Sequence, residues 1–191
     1  QTLHLLLLFA LTLLFALLSL FLGRYPKAGF TAPSLFFHDR LARTILINVR
    51  LPRTILALAA GAVLSASGFT FQLLFSNPLV EPGFLGVSQG AAFGAALMIV
   101  LGQSRVASVQ LSAMVFGILG LIFSYFLAQR FRFGGSLLRL VLAGIAVSAF
   151  FSSGLGVIKL VAEPTKDLQD ITFWMMGGLW NASWKLIIPT V

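Results

Sequence analysis

Long uncharged apolar runs alternate with short polar breaks along this chain. Five runs are nearly complete, at Leu3–Leu22, Thr54–Phe75, Phe84–Leu101, Val106–Ala128 and Leu140–Ile158, and a sixth begins near Trp184. Runs of this length cross ~30 Å of hydrocarbon at ~1.5 Å per residue. The pattern predicts an all-α integral membrane protein, a polytopic helical bundle in which residues 1–191 form a single transmembrane domain. Leu3–Leu22 is too long for a signal-peptide core and has no small-residue cleavage site, so a first spanning helix is expected there.

The breaks carry their own signals. In Ser34–Val49, Phe37, Leu41, Ile45 and Val49 recur at i+4 while His38, Arg40 and Arg43 fall elsewhere, which predicts a short helix lying at the membrane surface. Asn77-Pro78 and Glu81-Pro82-Gly83 stop the second and third runs, and a helical hairpin with a tight polar turn is expected between them. Another short helix is predicted over Asp167–Met176, with Asp167 as N-cap, a stripe of Leu168, Ile171 and Met175, and Gly177-Gly178 as the stop. Trp174, Trp180 and Trp184 bracket it at interfacial depth.

Small residues recur at helical spacing. Gly86, Gly90 and Gly94 share one face of the third run and let another backbone approach closely. Gly61 and Gly68 of the second run are assigned to packing as well. The fifth run carries Gly144, Ser148, Ser152 and Gly156 at i+4 spacing, and two readings stand: a helix–helix contact, or one wall of a translocation path.

Composition sharpens the class. Apolar residues make up 59%, charged residues 9%, and mean hydropathy is +1.00, against roughly 25% charge in a soluble domain. The net charge of +8 does not point to nucleic acid, because the basic residues sit singly or in small groups between apolar runs, as interfacial anchors do. The chain opens at Gln1 and stops at Val191 shortly after an apolar run has begun, and is expected to be a fragment. Cysteine is absent, which excludes disulfides and thiolate metal sites.

Catalytic chemistry is missing from the pattern. His4 and His38 are far apart, no HExxH or GxSxG arrangement occurs, and none of Asp39, Glu81, Glu163, Asp167 and Asp170 lies in mid-run. An ionisable residue within a span is the usual mark of proton or ion coupling, so a proton-driven carrier is not expected. No GxxxxGK[ST] loop is present for a nucleotide. His38 reads as an interfacial polar residue. Glu81 is either a partner contact or part of the turn at Pro82. Gln72 needs partners in an apolar run, with an interhelical hydrogen bond weighed ahead of pathway lining.

The segments RLPR (Arg50–Arg53), AAGAVLSASG, Gln72, NPLVEPGFLGVSQGAAFG, LVLAGIAVS (Leu140–Ser148) and FWMMGGLW (Phe173–Trp180), in this order, resemble the permease family of ABC importers for iron-siderophores, haem and vitamin B12. The resemblance implies the amino-terminal half of a ten-helix, type II importer permease fold. It implies transport of a metal chelate, or of an oxyanion such as molybdate, across the inner membrane. It also implies a second permease subunit, cytoplasmic ATP-binding subunits that hold ATP and Mg, and an external substrate-binding protein. No cofactor, metal or catalytic residue is expected in this chain. By the same resemblance Arg50, with Arg53 beside it, docks the binding protein. Ser136 and Leu137 fall on a cytoplasmic constriction in the Gly134–Leu138 segment, where Leu137 replaces a threonine, and Gly144, Ser148 and Ser152 line the pathway. The alternative is a channel-like or structural membrane subunit without an ATPase.

Orientation brings two rules into conflict. The segments after the first, third and fifth runs hold Arg24, Lys27, Arg40, Arg43, Arg50, Arg53, Arg105, Lys159, Lys166 and Lys185, against Arg130, Arg132 and Arg139 after the second and fourth. The positive-inside rule places the first set in the cytoplasm. The resemblance places the RLPR end outside, and that orientation is adopted.

Overall fold

The computed structural model describes residues 2–78, 80–103, 105–180 and 182–184. The expected sixth span, with Lys185, lies outside the described residues. The chain divides into two compact units, 1–65 with 178–191, and 66–177.

The first unit opens with α1 (Thr2–Phe21), twenty residues with none buried. A helix this apolar and unshielded is stable only in hydrocarbon. A two-stranded turn follows, β1 (Leu22–Gly23) antiparallel to β2 (Gly29–Phe30), with Leu22 opposite Phe30. Then come α2 (Leu35–His38), α3 (Arg40–Ile45), a π-helical turn (Leu46–Arg50) and α4 (Leu51–Phe75). Asp39 caps α3, its carboxylate accepting from the Leu41 amide at 2.8 Å.

The surface helix and the second span are therefore not separate elements: Arg40–Phe75 runs as one helix of 36 residues. Pro52 did not break it because the helix widens ahead of it. In α-register the proline ring would meet the carbonyl of Asn48. In the π-turn Leu51 donates to the Leu46 carbonyl, five residues back. The same register points the Ile47 carbonyl at Pro52, which has no N–H, and the Trp184 indole donates to that carbonyl at 2.9 Å.

At the far end α4 closes in a Schellman motif. Ser76 takes a left-handed φ of 47°, with its amide on the Leu73 carbonyl at 3.2 Å and the Asn77 amide on that of Gln72 at 3.1 Å. Gln72 donates to the Pro78 carbonyl at 3.2 Å. Its amide thus closes the break after its own helix, and the expected interhelical bond is not what it makes.

In the second unit a 3₁₀ turn (Pro82–Leu85) leads through Gly86, at φ 78°, into α5 (Val87–Val100), followed by α6 (Val106–Arg130), α7 (Ser136–Val161) and α8 (Asp167–Met176). The third run yields a helix of only fourteen residues, about 21 Å long. A short helix with an irregular entry is tolerated at membrane depth where protein surrounds it, and α5 is packed by α6, α7 and α8. Its main partner is α6.

Glycines set the α5–α6 distance from both sides. A Cβ on Gly90 would overlap the Phe116 carbonyl oxygen, one on Gly94 would lie 2.6 Å from that of Ser112, and one on Gly120 would lie 2.5 Å from that of Gly86. Ser112 adds a 2.7 Å bond to the Gly94 carbonyl. Ala92, Ala95, Ala96 and Ile99 of α5 then close a core with Val109, Ala113, Leu155 and Ile158. Phe93 packs at a tilt against Phe116 and Phe151, centroids 5.2 and 5.5 Å apart, beside Gly154. By contrast, a Cβ on Gly61 or Gly68 meets nothing within 4 Å among the described residues.

The short helix α8 has the predicted bounds, but Lys166, not Asp167, holds the N-cap position, with no side-chain bond. Ile171 is buried and Leu168 packs beside it, while Met175 is exposed and falls off the predicted stripe.

Replacing Gly90 by alanine should therefore lower the yield of assembled protein, at a cost of about 1–3 kcal/mol from overpacking against backbone, and leucine should abolish assembly. Gly68→Ala, placed in open space, should leave the yield of this chain's own fold unchanged. Normal detergent-stable yield for Gly90→Leu would contradict the packing.

Candidate functional site

Arg50 is the centre of the first unit's polar end. It lies in the last turn of the π-segment, half-buried, and its guanidinium points back into its own chain. Nη1 donates to the Leu20 carbonyl at 2.8 Å and to Thr31 Oγ1 at 3.2 Å, and Nη2 reaches the same oxygen at 3.3 Å. Leu20 belongs to the last turn of α1, whose final carbonyls have no intrahelical donor. The cation therefore completes that helix end and favours its negative dipole. Thr31, 2% exposed, also donates its amide to the Phe21 carbonyl at 2.7 Å. Gly23 passes directly over the guanidinium, and a Cβ there would overlap it.

The expectation that Arg50 offers an open fork to an external carboxylate is not met by this geometry. Its donors satisfy orphan acceptors first, a demand that RLPR as a motif does not display. The exposed cations on this side of the unit are Arg24 and Lys27, between α1 and α2, and Arg40 and Arg43 of α3. Tyr25 ties that segment down, its hydroxyl donating to Asp39 Oδ2 at 2.6 Å. This hydrogen bond, with the Leu41 amide, holds the Asp39 carboxyl below its ordinary 3.8, and the same bond raises the Tyr25 phenol above its ordinary 10.0. Sequence reading missed Tyr25 and Thr31, whose partners are 14 and 19 residues away.

Arg53, one turn further, donates from Nη2 to the Trp180 carbonyl at 2.9 Å, and its Nε is buried with no acceptor among the described residues. Arg50 and Arg53 both line a groove of about 640 Å³ between α1 and the start of α4.

In the second unit, Ser136 and Leu137 are not loop residues. They form the first turn of α7, after Gly134 at φ 71° and Gly135 at the N-cap position. Ser136 is exposed and Leu137 half-buried. On α7 the buried face is Ala143, Val147, Phe151 and Leu155. The neighbouring face opens gradually along the helix: Gly144 is buried, Ser148 intermediate, and Ser152 and Gly156 exposed. Glu81 is exposed and caps nothing; its carboxylate lies against Gly83. No group of metal-ligating side chains forms among the described residues. Ser124, fully buried, donates to the Leu85 carbonyl at 2.8 Å and clasps the entry to α5. No motif marked it in the sequence.

Four helices long and apolar enough to cross a membrane, with a buried short helix among them, define a multi-pass membrane protein. Residues 11–191 match the FecCD transport family, and the chain belongs to it. It is 38% identical over 176 residues to a probable iron chelatin transport system permease protein of Helicobacter pylori, covering 91% of this chain and 52% of that protein. It is 35% identical over 193 residues to the molybdate import system permease protein MolB of Haemophilus influenzae, covering 95% and 56%. With the hemin transport system permease protein HmuU of Yersinia pestis the identity is 40% over 156 residues, covering 76% and 46%. The chain thus spans about half the length of the curated relatives it matches. A solved inward-facing structure of a metal-chelate type ABC transporter superposes with a TM-score of 0.84 at 31% identity, over 98% of this chain and 57% of that one.

Two expectations follow for the polar end. Arg50→Ala leaves the Leu20 carbonyl without its donor and the Thr31 hydroxyl with only its bond to the Tyr25 carbonyl, at about 1.5–3 kcal/mol for loss of a charged donor, and Arg50→Lys, shorter and without the planar fork, should restore only part of it. Both variants should speed proteolysis of the 22–31 segment, and wild-type resistance in Arg50→Ala would refute the role. The Tyr25–Asp39 contact should hold across the neutral range. The lowered Asp39 value means its contribution is present above 3.8 and is lost as pH falls through the still lower folded value. The raised Tyr25 value means its contribution is present below 10.0 and is lost as pH rises through the folded value. Protection of the Leu41 amide from hydrogen exchange, corrected for intrinsic rate, reads both edges, and a midpoint near neutral pH would contradict the assignment.

Proposed function

We propose that the full-length protein is the transmembrane subunit of an ATP-driven importer that carries a metal chelate, or an oxyanion such as molybdate, across the inner membrane. The observation that carries this reading is the superposition of nearly the whole chain on a metal-chelate type ABC transporter. The relatives named for iron chelatin, molybdate and hemin transport define the substrate range to be tested. The energy source is ATP, held with Mg by separate cytoplasmic subunits, and this chain contributes the path and no catalysis. The open face of α7, with Ser148 and Ser152, is its wall: small and hydroxyl-bearing residues leave room for a bulky solute and interact weakly with it.

A soluble binding protein delivers the substrate to the outer side. Its docking surface is formed by Arg24 and Lys27 with Arg40 and Arg43 of α3, and Arg50 is a positioning residue behind it. A second permease subunit completes the pore, and Gly61 and Gly68 are the positions of α4 available for packing outside this chain.

Reconstitution of the full-length protein with its ATPase and binding protein in proteoliposomes tests this. Uptake of a ferric siderophore, haem, cobalamin or molybdate should require ATP, and equal uptake without ATP would make the protein a channel. In the same system, cysteines placed at Ser136 and crosslinked between two subunits should stop transport, with recovery on reduction. Unimpeded uptake by the crosslinked form would remove Ser136 from any constriction.

A further inference from the structure

The continuous helix Arg40–Phe75 has a weak turn where its surface part becomes the span. Pro52 adds no rung to the hydrogen-bond ladder, and the Leu51 amide donates five residues back, to the Leu46 carbonyl. Two successive imperfect rungs concentrate bending there, since helices kink at prolines and π-turns.

The turn is held from two parts of the chain. Arg50 ties it to the Leu20 carbonyl and to buried Thr31. The other ties come from beyond α8. The Trp184 indole donates to the Ile47 carbonyl at 2.9 Å, and the Trp180 carbonyl accepts from Arg53 at 2.9 Å. Both tryptophans follow Gly177 and Gly178, at φ 68° and 150°, backbone angles that side chains disfavour. Trp184 also stands where the sixth apolar run begins.

Proline is what makes the Trp184 bond specific to this turn. With an N–H at position 52 the Ile47 carbonyl would be served in either register, by Leu51 in an α-turn or by residue 52 in a π-turn. Pro52 leaves that carbonyl an orphan, and Trp184 supplies the donor from outside the helix. One neutral hydrogen bond shifts an equilibrium by roughly 3- to 10-fold, small enough to be broken and remade.

We propose that the Leu46–Arg50 π-turn is a hinge between α3 and the spanning part of α4, and that Trp184 is its latch. Latched, α3 and α4 move as one body. Released, the Ile47 carbonyl turns to interfacial water and the helix bends at Pro52. Because α3 carries Arg40 and Arg43, release lets the outer cationic surface turn without tilting the span. Only this last consequence rests on the transport reading.

The test is hydrogen–deuterium exchange of the full-length permease in nanodiscs, without partner proteins, comparing peptides over 46–56 and 57–65. Trp184→Phe keeps an aromatic ring and removes the donor. It should speed exchange over 46–56 by roughly 3- to 10-fold and leave 57–65 at the wild-type rate. Pro52→Ala restores the missing N–H, so adding Trp184→Phe to it should change nothing further. Should Trp184→Phe alone fail to assemble, the double variant compared with Pro52→Ala carries the test. Three results would overturn the hinge: wild-type exchange over 46–56 in Trp184→Phe, a rise that spreads equally over 57–65, or a double variant that exchanges faster than Pro52→Ala alone. No ATPase or binding protein takes part, so failure here leaves the transport reading standing, and loss of uptake in proteoliposomes leaves the hinge standing.

Discussion

A backbone carbonyl in hydrocarbon must find a donor, because no water is there to supply one. Most irregularities in this chain are settled by that requirement. Where α1 ends, Arg50 donates to Leu20. Where Pro52 withholds its N–H, Trp184 donates to Ile47. Gln72 serves Pro78 at the end of α4, Ser124 serves Leu85 at the entry to α5, and Arg139 serves Phe131 between α6 and α7. In each case a polar side chain is assigned by the position of a helix break. Arginines that look like anchors or docking residues in the sequence are in this way committed to structure.

The second constraint is contact without a hydrophobic driving force between helices. Lipid tails are as apolar as leucine, so helices associate through close packing and a few hydrogen bonds. Gly90, Gly94 and Gly120 remove the side chains that would hold α5 and α6 apart, and Ser112 adds a bond across the closed interface. The result is a rigid core built mostly from alanine and glycine. Exposed leucine and phenylalanine occupy the outer faces of α1 and α6.

That division continues onto α7. On α7 one face is packed and the adjacent one, with Ser148 and Ser152, is left open and weakly polar. The first unit is different in kind: its polar end is held by hydrogen bonds from Arg50, Thr31 and Tyr25 rather than by a packed core.

The apolar runs, the glycine spacing and the short helix at Asp167–Met176 were legible because each is local: a period, a length or a stop signal within one segment. The fold class follows from them, and ordered motifs such as RLPR and NPLVEPG placed the chain in its family. Tertiary structure alone decided which partner each local feature would meet. The glycines of α5 pack on α6, and spacing alone marks a close contact but not its other side. The surface helix and the second run read as separate, yet Pro52 sits inside one continuous helix, because a π-turn and a tryptophan 132 residues away absorb its missing donor. Arg50 reads as an exposed cation and is turned inward, because the acceptors that claim it, Leu20 and Thr31, are distant in sequence and reach it only after folding.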